Sequence, residues 1–132
     1  MIIRVLLVDD QALFREGLET LLSVYDDIQV VGQAGNGREA VDIATKVHPD
    51  VVLMDVRMPV LDGVRATNLL MKAQPRCKVI VLTTFDDDEY IFEALRSGAV
   101  GYLLKDVASV QLVEAIRSAA RGESVLEPSV AA

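Results

Sequence analysis

Short apolar runs alternate with longer stretches of helical period along this chain, and that alternation organises it. Residues 2–8, 51–54 and 79–82 are runs rich in β-branched side chains with little polar interruption, the pattern of parallel strands covered on both faces. Residues 28–31 and 100–104 carry the same signal more weakly. Between the first two runs, Phe14, Leu18, Leu21 and Leu22 fall at i, i+4, i+7 and i+8 and form one apolar stripe. Ala40, Ile43, Ala44 and Val47 repeat it, and further helices are expected over roughly 63–73, 87–97 and 109–121. Pro49 and Pro75 stand just past helix ends, while Gly98 and Gly122 suit the left-handed residue that closes a helix.

Five strands alternating with five helices through short connections predict a doubly wound α/β domain, a five-stranded parallel sheet with helices on both faces, because each crossover is right-handed. The length of 132 residues allows one such domain and excludes two. With 52% hydrophobic residues the chain is not disordered. Its 13 basic against 20 acidic residues give a net charge of −7, which repels phosphate backbones, so direct binding of nucleic acid by these residues is not expected. Cys77 is the single cysteine; it excludes an intrachain disulfide and a cysteine metal cluster and fits a cytoplasmic setting. The first apolar run meets Asp9-Asp10 too soon to be a signal peptide or a membrane span. Residues 1–122 are read as the domain; 123–132 lose helical period and read as the start of a linker.

In open parallel sheets, ligands bind beyond the carboxyl ends of the strands. Asp9-Asp10 end the first strand, Asp55 the third, Thr83-Thr84 the fourth and Lys105-Asp106 the fifth. Two carboxylates about 4 Å apart repel by roughly 4 kcal/mol at an effective dielectric of about 20, so this edge calls for a cation. Hard oxygen ligands without a nearby His or Cys select Mg²⁺, Mn²⁺ or Ca²⁺, and Mg²⁺ favours a site completed by phosphate oxygens. A carboxylate can itself attack phosphorus, with a metal and an ammonium neutralising the charge. Asp55 stands alone at its strand end and is the best nucleophile, while Asp9 and Asp10 are suited to sharing a metal and its waters.

Four segments carry a resemblance: Leu6-Leu7-Val8-Asp9-Asp10, Leu53-Met54-Asp55-Val56-Arg57-Met58-Pro59-Val60-Leu61-Asp62-Gly63, Val81-Leu82-Thr83-Thr84 and Gly101-Tyr102-Leu103-Leu104-Lys105. In order and spacing they resemble the receiver domain of bacterial two-component response regulators, over residues 2 to about 121. The variants Thr83-Thr84-Phe85-Asp86 and Leu103-Leu104-Lys105-Asp106 are similar to the NarL/FixJ type, whose members carry a C-terminal LuxR-type helix-turn-helix domain. The resemblance implies a flavodoxin-like (βα)5 fold with strand order 2-1-3-4-5. It implies that Asp55 accepts a phosphoryl group from a sensor histidine kinase. Asp10, Asp55 and the Arg57 backbone carbonyl would hold Mg²⁺, and Asp9 would act largely through metal-bound water. It further implies that Thr83 hydrogen-bonds the phosphoryl group, Lys105 pairs with it, and Tyr102 is an aromatic switch turning inward as Thr83 moves. Phosphorylation would then change homodimerisation or release a DNA-binding output domain lying beyond these residues. Receivers often have a cis proline after the lysine; Asp106 stands here, and a cis bond without proline costs roughly 2.5–4 kcal/mol.

Taken singly, these residues have plainer readings. Asp9-Asp10 suits a helix N-cap, Asp55 an Asx-turn, Lys105 a solvated charge, Thr83 a loop-capping hydroxyl and Tyr102 a half-buried strand residue. Asp86 to Glu89 suit a helix start, His48 a helix end, and Gly35-Asn36-Gly37 a turn into the second helix. A metal-dependent phosphatase would need a second catalytic carboxylate just after Asp55 and a substrate cap; Arg57 holds that second position. A pseudo-receiver would bind partners without phosphorylation. Period alone leaves open which way Ile91, Phe92, Val110 and Val113 face.

Overall fold

The computed structural model describes residues 1–56, 58–84 and 88–125. Strands and helices alternate: β1 (Ile3–Val8), α1 (Ala12–Leu22), β2 (Ile28–Ala34), α2 (Gly37–Val47), β3 (Val51–Asp55), α3 (Gly63–Ala73), β4 (Lys78–Thr83), α4 (Asp88–Arg96), β5 (Gly101–Leu104) and α5 (Ser109–Ala120). All pairings are parallel, in the order β2-β1-β3-β4-β5, as the resemblance implied. β3 is buried along its whole length and β4 over all but Lys78, which explains their unbroken apolar runs.

The alternation of side chains along each strand divides the core between the two faces. Val5, Leu7, Leu53, Ile80, Leu82 and Leu103 pack with Leu18, Leu22, Leu112 and Ile116 of α1 and α5. Leu6, Val52, Met54, Val79, Val81 and Tyr102 pack with Ala40, Ala66, Leu70 and Ile91 of α2, α3 and α4. The faces that period left open are now assigned: Ile91 and Val113 are buried, whereas Phe92 and Val110 are each 66% exposed.

β2 runs to Ala34, beyond the expected end at residue 31, pairing Gly32, Gln33 and Ala34 with Leu6, Leu7 and Val8. As the strand at one end of the sheet it is mostly half-buried, so no clean apolar pattern marks its second half. The punctuation is legible. Asn36 and Asp62 cap α2 and α3 by accepting from the N–H groups of Glu39 and Arg65 at 2.9 Å each. His48 closes α2 in the left-handed region (φ 47) with its ring 3.1 Å from Gln74. Gly98 takes φ 115 after α4. Gly63 is fixed by close approach, since a Cβ there would collide with the backbone oxygen of Asp55. No peptide bond is cis and no helix is long and apolar enough to cross a membrane, among the described residues.

Candidate functional site

Strand register brings the polar ends together. Val8 lies beside Met54, Asp55 beside Leu82, and Thr83 beside Leu104, so Asp9, Asp55, Thr83 and Lys105 emerge side by side at the carboxyl edge. Each is locked by the backbone. The Asp9 N–H donates to the Ala34 carbonyl at 3.0 Å and the Lys105 N–H to the Thr83 carbonyl at 2.8 Å. Beyond Asp55 the chain is pinned where the Gly63 N–H donates to the Val56 carbonyl, and Gly37 N–H reaches the Leu61 carbonyl.

Asp9, Asp55 and Thr83 are buried, whereas Asp10 is exposed. Carboxylate oxygens of Asp9, Asp10 and Asp55 all lie within 4.8 Å of one another. The Lys105 ammonium lies 2.6 Å from Asp9 Oδ2 and 3.7 Å from Asp55 Oδ2, and 4.6 Å from the centre of the Phe14 ring, a distance at which the ring face attracts a cation. Asp9 Oδ1 accepts the Gln11 N–H at 2.8 Å. Asp9 Oδ2 is fully buried and has no hydrogen bond of good direction, so the Lys105 ammonium meets it as a charge rather than along a donor axis. Arg15 donates to the Asp9 carbonyl and, through Nε, to Gln33 Oε1 at 3.1 Å.

This donor set fits a hard divalent cation: three carboxylates within reach of one point, one of them with a buried oxygen short of directional partners. Asp9, Asp10 and Asp55 could hold the ion. Asp10, Gln11, Asp55, Thr83, Thr84 and Lys105 line an open cleft of about 200 Å³. A neighbouring cleft of about 380 Å³ runs from Asp10 past Met58, Pro59 and Asp62 to Tyr90.

The sequence reading named Asp9, Asp10, Asp55, Thr83 and Lys105, and all five converge. Tyr102 lies further back along β5, beside Val81 and three residues before Lys105, with its side chain buried on the α4 side of the sheet. Arg57 and Phe85 to Asp87 lie outside the described residues. Three contributors were missed. Phe14 is legible in the sequence only as part of a core stripe, Gln11 sits at the α1 N-cap for which Asp9-Asp10 are suited, and Tyr90 gives no signal until the fold sets it on the cleft that Asp10 and Asp62 also line. Cys77 is buried and remote from the edge, and burial pushes its thiol up to about 11.

The chain is similar to known proteins in sequence and fold. The chain is 48% identical over 130 residues to the uncharacterized transcriptional regulatory protein YxjL of Bacillus subtilis, covering 98% of this chain and 60% of that protein. It is 42% identical to the response regulator protein VraR of Staphylococcus aureus, covering 98% of this chain and 62% of VraR. It therefore spans about three fifths of those relatives. A crystal structure of a LuxR-family two-component response regulator from Aurantimonas superposes with a TM-score of 0.93 at 28% identity, covering 99% of this chain and 94% of that one. Residues 5–117 match the response regulator receiver domain family, and the chain belongs to that family as the receiver domain of a two-component response regulator.

Proposed function

We propose that Asp55 is the phosphoacceptor and that a sensor histidine kinase is the donor. The observation that supports this best is the placement of the Asp55 carboxylate, at an open cleft and 3.7 Å from the Lys105 ammonium. An Asp55 carboxylate oxygen attacks phosphorus, the nitrogen–phosphorus bond of the phosphohistidine breaks, and the imidazole nitrogen keeps the electron pair and is protonated from solvent. Asp10 and Asp55, with the Arg57 backbone carbonyl that the resemblance implies, would hold Mg²⁺ and Asp9 would act largely through its water; when bound the ion would neutralise charge on the phosphoryl oxygens. Lys105 does the same from its own side, backed by the Phe14 ring.

The phosphorylated side chain carries nearly two negative charges. Thr83 turning to donate to it gains about 1.5–3 kcal/mol. Moving an equilibrium from 1:99 to 99:1 takes about 5.5 kcal/mol, so Lys105 and the repacking of Tyr102 contribute the remainder. The surface of α4, β5 and α5, with exposed Phe92 and Val110, then changes and controls homodimerisation. In the whole regulator this domain, expected to end at residue 122 but packed through Val125, acts as the receiver for a helix-turn-helix domain that binds DNA in the cytoplasm. The domain performs its own phosphotransfer and dephosphorylation and turns over no separate substrate.

Incubation with Mg²⁺ and acetyl phosphate, followed by intact-mass measurement, tests the reading. Wild type gains one acid-stable, base-labile phosphoryl group and Asp55→Asn gains none. Equal uptake by both overturns it, and sustained hydrolysis of a phosphomonoester would favour the phosphatase alternative.

A further inference from the structure

The chain does not leave the domain directly after α5. Gly122, at φ 84, turns it back, and the Glu123 N–H donates to the Ser118 carbonyl at 3.0 Å. Val125 then lies beside β5, bridged in parallel to Gly101. Two backbone hydrogen bonds make the bridge: Val125 N–H to the Val100 carbonyl and Tyr102 N–H to the Val125 carbonyl, both at 3.0 Å. Val125 is 7% exposed and packs into the α1/α5 half of the core. Gly101 is matched to this neighbour, because a Cβ there would collide with the Val125 carbonyl.

β5 is the last strand of the sheet, and Val125 covers part of its outer edge, where N–H and C=O groups would otherwise stand open. The covered group belongs to Tyr102, whose side chain is buried against the α4 side. Lys105 follows the same four-residue strand, tied to Thr83 by its own N–H. One short rigid element thus joins Lys105, Tyr102 and Val125.

We propose that Val125 forms a β latch on the edge of β5, and that the charge state of the acid site reaches the following chain by loosening or tightening it. The latch itself needs only the backbone pairing; its trigger rests on the phosphoacceptor reading above. Coupling through a packed strand requires two arrangements of that strand, which both the site and the latch bias.

Hydrogen exchange of single amides in the full 132-residue chain tests both parts. Val125→Pro removes one latch donor, and Val125→Asp keeps the donor but sets a charge in the buried position. In each, the Tyr102 amide exchanges about tenfold faster or more, with Leu6 in β1 unchanged as the control for global folding. Equal exchange in wild type and both variants overturns the latch. Wild type is then loaded with Mg²⁺ and beryllofluoride, loading being read from the fluorine NMR signal of bound beryllofluoride. Exchange at Tyr102 shifts about threefold or more on loading. A bound signal with unchanged Tyr102 exchange overturns the link while leaving the phosphoacceptor reading intact. Absence of any bound signal overturns the phosphoacceptor reading and the trigger with it, and the two variants alone then decide the latch.

Discussion

The two edges of the sheet treat charge in opposite ways. At the amino edge, every named charge meets a partner in good geometry. Asp50 Oδ2 accepts the Arg4 N–H at 2.8 Å, the Arg4 guanidinium donates to the Val47 carbonyl, and Asp27 takes two bonds from Arg117, at 2.8 and 3.1 Å. These groups join β1, β2, β3 and α5, and they are partly exposed. At the carboxyl edge, among the described residues, the three carboxylates of Asp9, Asp10 and Asp55 cluster around the ammonium of Lys105, a surplus of negative charge with Asp9 and Asp55 buried and Asp10 exposed. Matched charges satisfy one another and add a little stability, whereas the unmatched edge is destabilising on its own and is poised for a cation and a phosphoryl group.

The largest expected effect follows from Lys105, the cation that meets the crowded carboxylates among the described residues. Lys105→Met removes the partner of Asp9, whose side chain is only 4% exposed, and leaves a buried charge uncompensated. In metal-free buffer the loss of unfolding free energy is about 3–5 kcal/mol, measured by urea titration. Adding Asp9→Asn to that variant restores most of it, because the stranded charge is then gone. A loss below about 1 kcal/mol, the range of exposed pairs, would make the two edges alike and break the comparison.

A smaller effect comes from filling the site. Wild type gains about 2.7 kcal/mol of stability at a Mg²⁺ concentration one hundred times its dissociation constant, and an equal ionic strength of NaCl gives no comparable gain. Asp10→Asn behaves in the reverse sense. It removes one repelling charge and stabilises the metal-free protein by on the order of 1 kcal/mol, since Asp10 is exposed and its repulsion is screened. The same variant loses the Mg²⁺ response. If Asp10→Asn destabilises the metal-free protein, the surplus-charge account of this edge is wrong.

These two edges were also unequally legible. Asp9, Asp10, Asp55, Thr83 and Lys105 each follow a buried apolar run, so strand ends could be read from the sequence and the convergence inferred from topology. The pairing of Asp9 with Lys105 could not, because it depends on a side-chain path past Phe14 that no local pattern encodes. β3 and β4 were plain because both faces are covered. The second half of β2 was not, because an end strand alternates poorly and Gly32 imitates a turn. Ile91 and Phe92 are adjacent apolar residues with opposite fates, and only the packing of α4 decides between them. Asp27 and Arg117 stand 90 residues apart, so their pairing carries no sequence signal at all. Val125 likewise gives no periodic signal, since a single bridge is too short to have a period.

The smallest expected effect lies at the amino edge and is set by pH. The Arg117 guanidinium, hydrogen-bonded to Asp27, holds the Asp27 carboxyl below its ordinary 3.8, and Asp27 together with Glu114 raises Arg117. A carboxyl whose pKa is lower when folded contributes stability above its unfolded value and loses it as pH falls through the folded value. Asp27→Asn therefore lowers the melting temperature at pH 7 by no more than a few degrees, because an exposed pair is worth little. The gap between variant and wild type stays constant down to about pH 4. It then closes as Asp27 itself becomes protonated, and at neutral pH it narrows with added salt. Thermal melts of both proteins at neutral and acid pH read this directly. A gap that persists at acid pH, or that rivals the loss from Lys105→Met, would mean that Asp27 supports the fold by something other than its charge, and the contrast between a matched edge and a surplus edge would no longer describe this domain.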